Sequence, residues 1–295
     1  MSKSGHRAFS AGRIAAIGGN TFTELSRLKV FYVLLLFALL LIGNSIFMAQ
    51  FTFQQEFQVL KDIALGSMSL LTSVLAVVAT ARLIPQDIED RTIYTILAKP
   101  VTRFEYLLGK LAGVLLLLAL SVIIMSALFF IVLKVREQTV LGETLRQMHA
   151  SSPEQRAEAL GAVRASAFQA NLVPGIAIIY VKACLLAALT LFVSTFATTT
   201  IFTTVVMVFV YFIGHLQSTA RAYWLQTNGA GGITKVFLAL VALFFPDLQL
   251  FNLLDDIVAG TAIPLALFAQ TATLGFFYTG FYLLLAWAVF YRKEL

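Results

Sequence analysis

The chain has 295 residues, of which 59% are hydrophobic and only 12% are charged, and its mean hydropathy is +0.88. Soluble domains carry about 25% charged residues, so this composition excludes an ordinary soluble domain and indicates an integral membrane protein. The net charge of +6 does not indicate a nucleic-acid-binding protein. Its basic residues flank apolar stretches and do not form a soluble basic face.

Six apolar stretches are long enough to cross a bilayer, which takes about 20 helical residues. They lie at 30–49, 62–84, 106–134, 172–197, 199–219 and 271–291. Residues 1–29 are polar and basic rather than a short apolar run with a cleavage site, so we expect the first apolar helix to remain as an anchor. The pattern predicts an all-α integral membrane protein with one six-span domain over residues 30–295.

The orientation follows from the distribution of basic residues. Six spans put both termini on one side, and that side carries more than half of the 21 Lys and Arg residues and the whole excess of basic over acidic residues. Because translocation disfavours basic loops, we expect both termini in the cytoplasm and the protein in the cytoplasmic (inner) membrane.

Residues 1–29 are expected to form a cytoplasmic tail followed by an amphipathic helix in the membrane interface. Apolar residues recur there every three to five positions between basic residues: Ile14, Ile17, Phe22, Leu25 and Leu28. This spacing is typical of an interfacial helix. A disordered basic tail is the alternative.

Two regions are expected on the outer side. In 135–171 the composition turns polar, and Ser152, Pro153 and Gln155 supply an N-cap, a first-turn proline and a capping-box partner, so we expect two short exposed helices. They could dock an extracytoplasmic partner, although a polar hairpin is more often a solvated loop.

The second outer region is 220–270, where the apolar runs 233–245 and 257–269 are too short to span comfortably. We interpret them as re-entrant or interfacial helices. An extra hairpin, giving eight spans, is the alternative.

The segment 82–105 between the second and third spans carries the strongest local signals. Pro85 can occupy the first turn of a helix, acidic residues follow it, and Pro100 ends it. Thr102 and Glu105 then form a capping box that starts the third span. The segment therefore predicts a short amphipathic helix projecting into the cytoplasm.

This segment resembles the cytoplasmic loop of ABC-2 type permeases, especially the branch associated with copper-enzyme maturation. The matching residues are Glu89, Arg91, Thr92, Leu97, Pro100, Arg103, Glu105, Gly109 and Lys110. Further resemblance lies in L-F-V-S-T-F-A-T-T-T at 191–200, F-P-D-L-Q-L-F-N at 245–252 and the C-terminal F-Y-R-K-E-L.

The resemblance implies a type V ABC exporter-like fold, with an N-terminal interfacial elbow helix, six spans and a cytoplasmic coupling helix received by a separate ATPase. It implies ABC ATPase subunits and a second permease copy, or a similar permease, as partners in the lipid bilayer. The residues it assigns to ATPase coupling are Asp87, Glu89, Asp90, Arg91, Thr92, Arg103 and Glu105.

No G-x-x-x-x-G-K-[ST] motif occurs in the sequence, so we expect a non-catalytic permease subunit with ATP and Mg bound by the partner chain. The three histidines show no metal-site spacing, and we expect no cofactor or metal in this chain. The predicted function is to couple ATP hydrolysis in the partner to export or membrane extraction of a substrate.

Two other function classes stay open. A secondary transporter or channel would need ionisable groups inside the membrane, and Lys182 is expected near the outer end of its span, where it can snorkel. A membrane anchor that recruits an ATPase without transport is the other class.

A substrate path is a further expectation, formed by the hydroxyl residues Ser69, Ser73, Thr203 and Thr204. Such a lining would suit an amphiphilic or lipid-like cargo. The alternative is that these small residues serve only helix packing.

Overall fold

The computed structural model describes residues 10–50, 56–92, 101–148, 152–226, 245–253, 257 and 264–292. These residues form helices, turns and short irregular segments, and no strand occurs among them. The helices are α1 Ala11–Ser26, α2 Lys29–Gln50, α3 Glu56–Ala81, α4 Leu83–Glu89, α5 Arg103–Gln147, α6 Pro153–Ala167, α7 Leu172–Phe196, α8 Thr200–Gln226 and α9 Leu265–Arg292, with a 3-10 helix at Leu248–Phe251.

Among the described residues, six helical stretches are long and apolar enough to cross a membrane. They are Lys29–Phe47, Glu56–Glu89, Arg103–Gln147, Pro153–Phe196, Thr200–Gln217 and Leu265–Arg292. The predicted all-α fold with six spans is thus confirmed, and the chain is a multi-pass membrane protein.

The α7 helix forms the centre of the bundle and packs against α3, α5, α8 and α9. Of the apolar window in the stretch that contains α7, 78% is buried within the protein, against 22% for α2. A helix that is apolar on all sides needs an apolar environment on all sides. Neighbouring helices supply this environment for α7, and lipid supplies most of it for α2.

The α5 helix is much longer than the predicted third span of 106–134. Its 45 residues extend over about 68 Å, roughly twice the thickness of the hydrocarbon core. The expectation of two short helices in 135–171 is therefore wrong for the first of them, which is a continuation of α5. No proline lies between 135 and 147, so nothing stops the helix there.

The second outer helix is present as α6, and it begins with the predicted capping box of Ser152 and Gln155. The last helix, α9, starts directly after Pro264, six residues before the predicted span, and so includes the end of the stretch 257–269. The stretch 233–245 lies outside the described residues except for Phe245. The choice between re-entrant helices and an extra hairpin stays open there.

The two ends of the bundle are formed by different helices and different polar contacts. One end, here called the α4 end, brings together α1, α4, the start of α5 and the end of α9, through contacts of Glu105, Lys110 and Arg103. The other, the α6 end, contains the start of α3, where Glu56 pairs with Arg136 at 2.5 Å and Lys61 donates to the Ser166 carbonyl at 2.6 Å.

Candidate functional site

The α4 helix continues almost directly from α3, with only a turn at Arg82 between them. Pro85 lies in its first half as predicted, and the helix ends at Glu89. Asp87 and Glu89 therefore lie in its last turn. From the sequence, the acidic residues after Pro85 were expected at the positive N-terminal end of the helix, and this expectation is wrong because the helix begins at Leu83 and is only seven residues long. The predicted run of this helix towards Pro100 lies outside the described residues.

Asp87 is buried and binds neighbouring elements. Its carboxylate lies 2.7 Å from the Lys110 ammonium of α5, accepts a hydrogen bond from the Tyr106 hydroxyl, and accepts a second from the Thr92 hydroxyl at 3.2 Å. Lys110 is also buried, so the pair is shielded from water. Asp87 thus fixes α4 against the first turns of α5.

Glu105 is fully buried and joins α5 to the elbow helix α1. It completes the predicted capping box, because its carboxylate accepts from the Thr102 amide at 2.9 Å while its own amide donates to the Thr102 hydroxyl at 3.2 Å. The same carboxylate accepts from the Arg13 guanidinium at 2.7 Å and from the Ser10 amide at 2.8 Å. One side chain therefore stabilises the start of two helices.

Arg103 binds the end of α9. Its guanidinium donates to the carbonyls of Phe290 and Tyr291 at 2.6 and 2.8 Å and lies 5.7 Å from the Phe290 ring centroid. The last carbonyls of a helix have no partner within the helix, so a cation there stabilises the terminus. Arg103 is in this way a link between the coupling segment and the C-terminal span.

Two glycines let α1 approach α5 closely. A Cβ atom on Gly109 would lie 2.8 Å from the Ile17 Cβ, and one on Gly113 would lie 2.6 Å from the Thr21 Cβ and 2.7 Å from the Gly18 carbonyl oxygen. Small residues four positions apart favour close packing of membrane helices, and here Gly109 and Gly113 provide it for the contact with the elbow helix.

The remaining coupling candidates form an exposed surface that we call the α4 tip, residues 89–92. Glu89, Asp90, Arg91 and Thr92 are all exposed there, and Arg91 adopts a positive φ of 55°. Seven residues were predicted to contact an ATPase. The structure places four of them on the surface, while Asp87, Arg103 and Glu105 hold α4, α9 and α1 in place around α5.

The four residues expected along a substrate path separate into two groups. Ser73 and Thr204 line an apolar cleft of about 270 Å³ between α3 and α8, whereas Ser69 and Thr203 are buried and do not line it. The hydroxyls of Ser73 and Thr204 also donate to carbonyls one turn earlier, at 2.7 and 2.9 Å. These two residues therefore line the cleft while their hydroxyls are hydrogen-bonded within their own helices.

The Lys182 side chain is packed inside the helix bundle, which contradicts the expectation that it snorkels. Its side chain is only 3% exposed, and its ammonium lies 3.1 Å from His215 Nε2 on α8. The sequence showed Lys182 as a charge within a span. The pairing joins residues 33 positions apart on two helices, and only the fold brings these together.

Comparison with known families supports the interpretation of this end of the molecule. No curated protein matches the chain. Residues 22–151 match the model of the family described as "ABC-2 family transporter protein", and this range contains only the last turn of α1, together with α2, α3, α4, the α4 tip and the whole of α5. Over these residues the chain is similar to ABC-2 family transporter proteins, and the match supports a permease subunit of an ABC transporter.

Proposed function

We propose that the protein is the membrane-spanning permease of an ABC transporter, and that separate ABC ATPase subunits bind ATP and Mg and drive export or membrane extraction of a substrate. The family match and the six spans support this assignment. The sequence contains no phosphate-binding P-loop motif, so ATP hydrolysis is assigned to the partner.

The observation that carries the proposal is that the exposed α4 tip is attached to a helix, α4, which buried contacts hold against α5. A coupling element has to transmit a rigid-body movement of the ATPase to the spans. Asp87 anchors α4 to α5 through Lys110 and Tyr106, Glu105 anchors α1 to α5, and Arg103 anchors α9. A displacement of the tip therefore acts on three candidate spans and the elbow helix together.

The proposal also includes the orientation of the protein in the membrane and the subunits with which it assembles. Positive residues favour the cytoplasm for the α4 end, which leaves α6 on the opposite side, where an extracytoplasmic partner could bind. A second permease copy, or a similar permease, and two ATPase subunits make up the assembly that the resemblance implies. The likeness to the branch associated with copper-enzyme maturation belongs to this proposal as well.

Co-purification with a candidate ABC ATPase produced in the same cells tests the docking role. The variant is Glu89→Lys with Arg91→Glu, and the matched control is Glu154→Lys with Arg164→Glu, which reverses two exposed charges on α6. We expect the α4 variant to lose the ATPase while remaining monodisperse in detergent, because reversed charges disfavour docking. Retention by the α4 variant, or loss by the α6 control, would move the interface elsewhere.

A secondary transporter is the second candidate, and the buried Lys182 and His215 pair favours it, since ionisable groups inside a membrane often mark a transport path. Co-purification together with a transport assay on the purified permease separates the two candidates. A permease that never associates with an ATPase, and transports after purification alone, would be a secondary transporter. Association without any transport would indicate a membrane anchor.

A further inference from the structure

Lys182 is a buried cation inside a membrane bundle. It lies ten residues into α7, its side chain is 3% exposed, and its ammonium is 5.7 Å from the centroid of the Tyr211 ring on α8. A charge in such a place is costly unless it is hydrogen-bonded or paired. What the site can bind therefore depends on which hydrogen-bond acceptors and negative charges the protein already provides to this ammonium.

His215 uses one of the three ammonium donors. Its Nδ1 lies 2.9 Å from the Tyr211 carbonyl, which can only accept, so Nδ1 carries the proton and Nε2 is left to accept from Lys182. Neither contact brings negative charge to the ammonium. Lys182 keeps two donors with no hydrogen-bond acceptor assigned among the described residues.

Among the described acidic residues, Asp247 is the one whose charge acts on His215, and it forms no ion pair with Lys182. It interacts electrostatically with His215, but its carboxylate caps the 3-10 helix by accepting from the Gln249 amide at 3.1 Å. Among the described residues, no acid forms an ion pair with Lys182 within 4.0 Å. An anion from outside the chain would complete the site.

The α3–α8 cleft gives such an anion access from the lipid side. Tyr211 lines the cleft together with Ser73, and the Lys182 ammonium lies over the ring of Tyr211, so this ring contacts both the cleft and the cation. The rest of the lining is apolar, and Leu70, Val74 and Val208 are exposed there. A volume of about 270 Å³ lies just below the range of small-molecule sites, about 300–1,000 Å³, and suits a slender occupant.

We propose that this cleft takes the acyl chain of an acidic amphiphile from the bilayer, and that Lys182, held by His215, receives its acidic head group. Charge complementarity selects the head group, and the apolar lining selects the chain. Tyr211 lies at the junction, so rotation of its ring exposes the ammonium to the head group. This inference rests on the proposed function, because it names the substrate class of the permease.

Equilibrium binding to the purified permease, without any ATPase, tests the inference separately from the proposed function. The permease is placed in phosphatidylcholine nanodiscs, and scintillation proximity measures binding of tritiated palmitic acid and of its neutral methyl ester, with empty nanodiscs as background. We expect saturable binding of the acid to be tighter than that of the ester. Lys182→Met should weaken binding of the acid about tenfold or more and leave the ester unchanged.

Three further variants make the result specific. Lys182→Arg keeps the charge and should retain binding of the acid, whereas Val74→Trp fills the cleft and should abolish binding of both ligands. Lys61→Met removes another buried lysine, whose ammonium donates to the Ser166 carbonyl, and should change neither ligand's affinity.

Equal affinity of the wild type for acid and ester would overturn the proposal, as would undiminished binding of the acid to Lys182→Met. Absence of saturable binding of the acid would do the same. If Lys182→Met also loses the ester, the variant has disturbed the cleft, and the comparison of acid with ester on the wild type decides. Failure of ATPase association would affect the proposed function and leave these binding results standing.

Discussion

Burial separates the roles of acidic residues that are close in sequence. Asp87 is 7% exposed and pairs with buried Lys110, whereas Glu89, two residues further along, is exposed on the α4 tip. Exposed ion pairs contribute about 0–1 kcal/mol, while removal of one partner from a buried pair costs about 3–5 kcal/mol. The first residue therefore supports the fold, and the second is available to a partner.

Lys110→Met tests the supporting role of Asp87. The substitution leaves a buried carboxylate without its cation, so we expect the free energy of unfolding to fall by about 3–5 kcal/mol. Thermal unfolding of the purified protein in detergent measures the loss. The control is Lys29→Met, which removes an exposed lysine at the start of α2, and it should change stability by about 1 kcal/mol or less. Equal effects of the two substitutions would contradict the assignment.

Helix α1 is held to α5 by contact at two glycines and by ionic links at its start. The Glu105 carboxylate binds Arg13 and the Ser10 amide, and Gly109 and Gly113 let the two backbones approach. Close approach at a glycine fails when a side chain has to displace backbone atoms, which cannot move cheaply. The contact between α1 and α5 therefore depends on two positions with no side chain.

Gly113→Ala is expected to destabilise the protein by about 1–3 kcal/mol, because its Cβ would lie 2.7 Å from a backbone oxygen of α1. Gly142→Ala is the matched control on the same helix. A Cβ there meets nothing within 4 Å, so better helix propensity should preserve or raise stability. Thermal unfolding distinguishes them, and a neutral Gly113→Ala would show that α1 packs differently.

Local signals predicted elements well where they act within a few residues. The capping boxes at Thr102 and Ser152 form as expected, because each joins residues three positions apart. The length of α5 was underestimated because the helix continues into polar sequence that contains no proline. The start of α9 was placed too late because the apolar residues 265–269 were assigned to a separate helix. The partners of Asp87 and Lys182 were missed, because they lie on other helices and depend on packing that a single sequence does not reveal.

At the scale of the whole molecule, six spans connect two chemically different ends. The α4 end carries the elbow helix, the α4 tip and the end of α9, and the α6 end carries the long extension of α5 together with α6. In the proposed topology the first faces the ATPase and the second faces the opposite compartment. In this proposal, ATP hydrolysis by the ATPase at the α4 end drives the movement of the spans that connect the two ends.

Cysteine labelling tests this topology. Native Cys184 is buried, so it should stay unlabelled, and the wild type should show little background labelling. Glu89→Cys and Tyr291→Cys, both exposed at the α4 end, should react with a membrane-impermeant maleimide only in inverted vesicles. Ala162→Cys on α6 should react only in right-side-out vesicles. Labelling of positions 89 and 162 from the same side would rule out the arrangement.

The most direct test of the central claim, that the α4 tip receives the ATPase, is site-specific photo-crosslinking in the assembled complex. A benzophenone amino acid replaces Asp90 in one sample and Arg164 on α6 in another, since both positions are exposed. The account predicts a permease–ATPase adduct from position 90 and none from position 164. An intact complex that yields no adduct from position 90, or an adduct from position 164, would contradict it.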